Sequence, residues 1–223
     1  IETVHDRTVI EVSRGCIRGC RFCQAGMVYR PIREKNPGTL CRQAKCLYEN
    51  SGYDEVSMIT LSISDYSRLE ELTDDLLAWT TPAHVGLSLP SLRIDSFGEH
   101  LMQKVSSVRA SGITFAPEAG TQRMRNVINK GLTEEDIING AGQAFEGGWN
   151  KVKLYFMLGL PTETEEDMEG IAVLSDKVAR RYYEIPKDQR NGKCQITASS
   201  SFFIPKPFSP LQWATMFPSE EYI

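Results

Sequence analysis

Six stretches of strand character alternate with five of helix character along this 223-residue chain. That alternation constrains the fold more than any other feature. Successive strands with a helix between them run parallel and are joined by right-handed crossovers. The first strand signal covers 8–13, short and β-branched. A helix is predicted over 39–50, with Leu40, Ala44, Leu47 and Tyr48 on one face and Gly52 closing it. Residues 55–63 read as a buried strand. Ser67 and Glu70 have the spacing of a capping box, opening a helix striped by Leu69, Leu72, Leu76 and Leu77. A strand over 84–89 and a helix over 97–111 follow, the helix with Leu101, Val105 and Val108 inward and Gly112 as its stop. After a strand at 113–116, Thr133 and Asp136 open a helix that carries Ile137, Ala141 and Phe145 and ends at Gly147 and Gly148. Residues 151–158 are apolar after two lysines, as in a strand covered on both faces. Thr162 or Thr164 caps a helix striped by Met168, Ile171, Leu174 and Val178, and 195–204 is the last strand.

A closed eight-unit barrel needs roughly 250 residues, and too little chain follows Ile204 for two more units. The expected fold is therefore α/β, an incomplete (βα)6 TIM-type barrel: a parallel six-stranded curved sheet with helices outside, open along one side. Residues 1–204 form the core, and 205–223, with Pro205-Lys206-Pro207, a C-terminal lid or linker. The chain opens at Ile1 rather than methionine, so further domains are expected in a longer protein. A net charge of −4 offers no broad basic footprint for nucleic acid, so an RNA substrate would need a basic partner domain. No apolar run has the length of a membrane span and no signal peptide opens the chain, which points to the cytoplasm and no membrane partner. Of the six cysteines, Cys41, Cys46 and Cys194 read as free thiols of a reducing compartment.

In parallel sheets of this kind ligands gather at the carboxyl ends of the strands. The unusual residues fall there: a cysteine loop after the first strand, Ser64 and Asp65 after the second, Ser88 and Arg93 after the third. Pro117 and Glu118 follow the fourth, Leu158-Gly159-Leu160-Pro161 the fifth, and Phe203 to Pro207 the sixth. The aromatic group Phe202, Phe203, Phe208, Trp213 and Phe217 would stack bases or close the mouth of the barrel.

The loop Cys16-Ile17-Arg18-Gly19-Cys20-Arg21-Phe22-Cys23 presents three thiols at spacings of four and three. A structural zinc site takes four protein ligands, and a plain electron-transfer cubane takes four cysteines. Three thiolates leave one iron of a [4Fe–4S] cube open. Zinc would require Cys41 or Cys46 as the fourth ligand, since the nearest histidine in sequence is His5. The alternative to an open cluster is thus an iron–sulfur or zinc module for electron transfer or structure, without catalysis. Arg14, Arg18 and Arg21 suit an anionic cluster, and equally a solvated basic loop.

Cys-x3-Cys-x2-Cys with an aromatic before the last cysteine resembles the signature of the radical SAM enzymes at every position. Arg21 to Met27 with Tyr29-Arg30-Pro31, Phe115 to Gly120, and Phe203 to Trp213 together resemble a bacterial group that joins a cobalamin-binding-like domain to a radical SAM core. The closing Pro-Lys-Pro run also resembles RNA methylthiotransferases. The resemblance implies a [4Fe–4S] cluster on Cys16, Cys20 and Cys23, chelated at its open iron by S-adenosylmethionine. It implies reductive cleavage of that cofactor to a 5′-deoxyadenosyl radical, which abstracts hydrogen from the substrate. A flavodoxin- or ferredoxin-type donor would supply the electron, and cobalamin would enter only through a domain outside this chain. Asp65, with Ser64, stands where the family's Gly-Gly-Glu-like turn meets the methionine ammonium. Glu118 suits the ribose diol, Lys130 or Arg123 the methionine carboxylate, and Phe22 and the backbone near Leu158 the adenine. Ser88 completes this set, and RNA modification is the first substrate reading.

Overall fold

The strand–helix alternation resolves into two three-stranded parallel sheets, each in its own unit of the chain. The computed structural model describes residues 6–89, 93–96 and 113–216; the helix expected over 97–111 and Phe217 lie outside them. One unit is Ile1–Ile17 with Tyr29–Ser111, the other Arg18–Val28 with Gly112–Ile223.

In the first unit β1 (Thr8–Glu11) leads into β2 (Ser13–Arg14), which pairs antiparallel with β3 (Arg33–Glu34). β1 also pairs in parallel with β4 (Glu55–Ile59), and β4 with β5 (Gly86–Ser88). Ile10, Val12, Val56 and Met58 bury against Leu40 and Ala44 of the helix Pro37–Ser51 and Leu72 and Leu76 of the helix Leu69–Thr80. The first of these helices starts two residues earlier than expected. Asn36 caps it by accepting the Gly38 N–H at 2.9 Å, and Pro37 needs no partner for a missing N–H. Gly52, at φ +78°, ends it in the left-handed conformation expected of that glycine.

Two expectations fail in this unit. The strand over 55–63 stops at Ile59, and the chain turns into a single 3₁₀ turn, Ile63–Asp65. The Ser67–Glu70 capping box does not form: Ser67 gives its N–H, at 2.9 Å, and its hydroxyl to Glu34 of β3. A carboxylate delivered by the antiparallel ribbon outcompetes the local cap, and the helix begins at Leu69 without a side-chain cap.

The second unit holds β6 (Ile113–Glu118), β7 (Lys151–Leu158) and β8 (Gln195–Phe202), in that order. Val152, Leu154 and Phe156 are buried, as are Ile137, Ala141 and Phe145 of the helix Glu134–Glu146 and Ile171, Leu174 and Val178 of the helix Glu165–Tyr183. The Thr133–Asp136 capping box is present, with reciprocal bonds of 3.0 and 2.8 Å. At the other helix Thr164, not Thr162, takes the cap, bonded to Asp167. β7 departs from its expected form, because its burial alternates and Tyr155 is 42% exposed. Met168 is also exposed rather than inward, and the last strand ends at Phe202.

Gly120 and Gly170 let the loop after β6 lie directly on the last helix. A Cβ on Gly120 would stand 2.3 Å from the Ile171 nitrogen and 2.5 Å from the Gly170 carbonyl carbon.

Candidate active site

The cysteine motif is divided between the units, Cys16 in the first and Cys20 and Cys23 in the second. Among the described residues of either unit, no three His, Cys, Asp or Glu side chains gather closely enough to hold a metal ion. Ahead of Cys16, Gly15 has φ +98°, and a Cβ there would lie 2.5 Å from the Tyr29 carbonyl oxygen. Only glycine fits that approach. Arg14 forks onto Glu11 at 2.8 and 2.9 Å, so its guanidinium is engaged within the β1–β2 segment.

Cys20 and Cys23 lie on a turn closed by the Cys23 N–H on the Cys20 carbonyl, at 3.2 Å. The short helix Gln24–Val28 follows at once, and its Gly26 N–H donates to the Cys23 sulfur at 3.3 Å. The segment is fastened to the rest of its unit through backbone. Arg21 donates its N–H to Ile128, accepts at its carbonyl from Leu211, and reaches Val127 O with its guanidinium at 2.5 Å. Asn129 donates to Gly19 O at 2.8 Å, and Gln24 to Pro207 O at 3.1 Å. Arg21 therefore works as a clip on helix-end carbonyls. None of the six cysteines is joined in a disulfide. Cys41 packs against the first unit's core, and burial first, then Asp75, pushes its thiol up to about 11.

The residues that the second unit does bring together are Phe22, Glu118 and Lys130. Phe22 packs against a core of Ala119, Met124, Ile128, Leu160 and Phe203. The Lys130 ammonium lies 5.9 Å from the Phe22 ring centroid and 3.1 Å from Glu118 Oε1. Both charged side chains are largely covered, at 12% and 17% exposure. Glu118 occupies the left-handed region at φ +70°, and the β6–β7 register slips between Phe115 and Glu118. A carboxylate residue held at positive φ at a strand end is the kind of strain that accompanies functional sites.

Arg123 is occupied elsewhere. It forms a short ion pair with Asp167 and donates to Thr162 O at 2.7 Å. Burial opposes ionisation of Asp167, but bonds from Arg123, Thr121 and Thr164 outweigh it and hold the carboxyl well below the usual range. Leu158 ends β7 with its carbonyl accepting from the Phe203 N–H at 2.8 Å. The N–H groups that follow, of Gly159 and Leu160, are taken by Glu163 at 2.5 and 3.3 Å. Burial raises the Glu163 carboxyl against the pull of those two bonds. In the first unit Ser64 accepts the Arg93 N–H at 2.9 Å, Arg93 forks onto Asp95, and Asp65 follows in the same 3₁₀ turn. Ser88 ends β5 beside Ser57.

Sequence reasoning missed Glu163, Asp167, Asn129 and Arg125. A carboxylate two residues past a Gly-Leu-Pro turn was a legible signal for Glu163. Arg125 gave none, because an arginine between Met124 and Asn126 reads as a solvated helix residue. It is instead wholly buried. No helix among the described residues is long and apolar enough to cross a membrane.

The cysteine donor set suits an iron–sulfur cluster: three unbridged thiols, one of them already receiving a backbone N–H. An uncharacterized protein of Methanocaldococcus jannaschii is 36% identical over 92% of this chain and 42% of its own length. The ribosomal protein uS12 methylthiotransferase RimO of Thermodesulfovibrio yellowstonii is 21% identical over 76% of this chain and 41% of its own. The chain thus spans less than half the length of these relatives. Among solved structures, the radical S-adenosylmethionine methyltransferase TsrM of Kitasatospora setae, with cobalamin and a [4Fe–4S] cluster bound, matches with TM-score 0.69 at 14% identity. The match covers 92% of this chain and 38% of that one. This likeness shows the fold, the incomplete TIM-type α/β barrel class expected from six strand–helix units. Residues 10–174 match the Radical SAM superfamily, and with three quarters of its length so matched the chain belongs to that superfamily, whose members are S-adenosylmethionine-dependent enzymes with a [4Fe–4S] cluster.

Proposed function

We propose that this chain is the catalytic core of a radical SAM transferase that places a methyl or methylthio group on an unactivated carbon, with RNA the first substrate to test. The observation that carries the reading is the grouping of Phe22, Glu118 and Lys130 at the carboxyl end of β6. It sets an aromatic face, an acceptor and a cation within one covered corner. The named activities of RimO and TsrM support the transfer outcome.

Cys16, Cys20 and Cys23 would hold the cluster. Reduced by one electron from a flavodoxin- or ferredoxin-type donor, such a cluster would supply the reductive cleavage of S-adenosylmethionine and, through it, hydrogen abstraction from substrate. The chain's own residues bind and orient. Lys130 pairs with the methionine carboxylate, and Glu118, released from part of its bond to Lys130, accepts from the ribose hydroxyls. Phe22 and the backbone near Leu158 pack the adenine. Asp65, with Ser64, accepts from the methionine ammonium, and Ser88 extends that polar edge. Arg123 is not carried forward as the carboxylate partner, because Asp167 and Thr162 already occupy its guanidinium. Cobalamin would enter through a further domain, as would a basic surface for RNA.

The test is anaerobic reconstitution followed by dithionite reduction and chromatography of the products. Formation of 5′-deoxyadenosine and methionine, reduced at least tenfold in Lys130→Met and Glu118→Ala, is the expected result. A fully clustered, reduced sample that yields none would overturn the reading.

A further inference from the structure

Parallel sheets normally bury both faces beneath apolar side chains. In the second unit β7 covers one face with Val152, Leu154 and Phe156 and leaves its other face polar, and the neighbouring β8 buries neither face. Successive side chains of a strand point to opposite faces, and register partners share a face. The polar face can therefore be read across the three strands. Thr114, Lys153 and Thr197 form one row, Tyr155 and Ser199 the next, and Met157 and Ser201 the row at the carboxyl end. Tyr155, Thr197 and Ser201 are exposed, and Lys153 and Ser199 half-exposed.

The cation of this face has no carboxylate partner among the described residues. The Lys153 ammonium lies instead over the Tyr155 ring, 4.5 Å from its centroid. Lys151 adds a second ammonium on the same face. Glu118, at the end of β6, is matched by Lys130. The face thus carries positive charge that no carboxylate among the described residues matches, within a carpet of hydroxyl groups. Thr197 is Lys153's register partner, about 4.8 Å away across the sheet. An ammonium and hydroxyls carried on neighbouring strands of one face are donors of the kind that a carboxylate or phosphate accepts from.

We propose that this face binds the oxyanion of a carboxylate- or phosphate-bearing substrate, with Lys153 as its anchor and Thr197 and Ser199 as its hydroxyl donors. The inference rests on the proposed function, because it takes the molecule to be the one whose hydrogen is abstracted. From Lys153 to Met157 the strand advances about 13 Å. A substrate anchored at Lys153 would extend along this face toward Met157 and Ser201 at the carboxyl ends of the strands. The aromatic ring of Tyr155 would support its middle.

Competitive amine labelling of the cluster-reconstituted protein tests this, with peptide mapping of each lysine. The probes are phenyl phosphate and benzoate, with neutral benzyl alcohol as the comparison. Both anions should slow modification of Lys153 at least fivefold and benzyl alcohol should not. Lys187, on the exposed turn Lys187–Gln189, should keep its rate. The paired substitutions Thr197→Val and Ser199→Ala, both at solvent-accessible positions, should cut the protection at least threefold. Equal labelling of Lys153 with and without the anions would overturn the proposal, as would equal protection of Lys187. Formation of 5′-deoxyadenosine by the same preparation reports separately on the proposed function, so the two readings fail independently.

Discussion

Arg125 offers the sharpest test of how the site in the second unit is held. Its guanidinium is fully buried and has no carboxylate partner among the described residues. It donates to the carbonyls of Ala119, Gly120 and Leu132 at 3.1, 3.2 and 3.3 Å, and to Gln122 Oε1 at 3.2 Å. Burial lowers its affinity for the proton, with Glu134 pulling the other way. Arg125→Met keeps much of the volume and removes every donor. Each buried carbonyl left without a partner costs about 1 kcal/mol or somewhat more, and the three together roughly 3–4 kcal/mol. Relief from burying a charge offsets part of that, since buried ions pay a desolvation penalty. The net expectation is a loss of about 2–3 kcal/mol.

The assay is urea unfolding of the cluster-free protein, where bound cofactor does not complicate the transition. In a chain of this length the loss corresponds to a fall of roughly 4–12 °C in Tm. Arg125→Lys should recover less than half of it, because one ammonium cannot span carbonyls arranged for a planar fork. The same change should weaken S-adenosylmethionine binding, since Lys130 donates its own N–H to the Arg125 carbonyl within the loop that Arg125 braces. If Arg125→Met unfolds within about 0.5 kcal/mol of the parent, the carbonyls find other partners and the bracing argument is wrong.

Alanine at Cys16, Cys20 or Cys23 should abolish cluster assembly, read as iron content, whereas alanine at Cys41, Cys46 or Cys194 should leave it intact. Gly120→Ala forces a methyl onto the Ile171 and Gly170 backbone, and should lower urea stability by about 2–3 kcal/mol or prevent folding. Asp167 is the acid-sensitive group. Its carboxyl is depressed in the fold, so its contribution is present above the unfolded value near about pH 4 and is lost as pH falls through the folded one. Asp167→Asn should therefore lower the urea midpoint at neutral pH and flatten its decline in acid. Glu163 has the opposite sign: a raised carboxyl favours the fold in acid and loses that contribution as pH rises. Glu163→Gln, which still accepts from Gly159, should leave stability at neutral pH equal or higher.

What the sequence disclosed was set by the range of the interactions involved. Strand–helix alternation and caps three residues apart are local, so the parallel sheets, the Thr133–Asp136 box and the Gly52 stop were legible. The Ser67 cap was misread because its competitor, Glu34, lies 33 residues away on a ribbon too short to signal itself. β7 was read as doubly covered because Tyr155 and Met157 count as apolar, and only the register with β8 reveals a polar face. Glu118 and Lys130 were each picked out by residue type and position. Their pairing with each other, over a separation of 12, was not legible. Arg123 shows the reverse: its chemistry suited a carboxylate, and the chain supplies one of its own in Asp167.

The residues that fix the second unit's site share one tactic, which is to bind backbone carbonyls that secondary structure leaves without partners. The loop from Ala119 to Leu132 contains only a helix of six residues, Gln122–Val127. So short a helix cannot satisfy its own terminal groups. Arg21 takes Asn126 and Val127, Arg125 takes Ala119, Gly120 and Leu132, and the Arg21 N–H takes Ile128. Asn129 sends its amide the other way, to Gly19 of the cysteine segment. The cysteine segment and the loop carrying Lys130 are thereby locked by bonds in both directions. Glu118 and Lys130 are held before any ligand arrives, and so is the Phe22 ring between them and the core. Under the proposed function the site gains from such preorganisation, because groups already in place need no rearrangement when charge shifts. That logic places the decisive polar residues one layer behind Glu118 and Lys130, in side chains whose partners are main-chain oxygens.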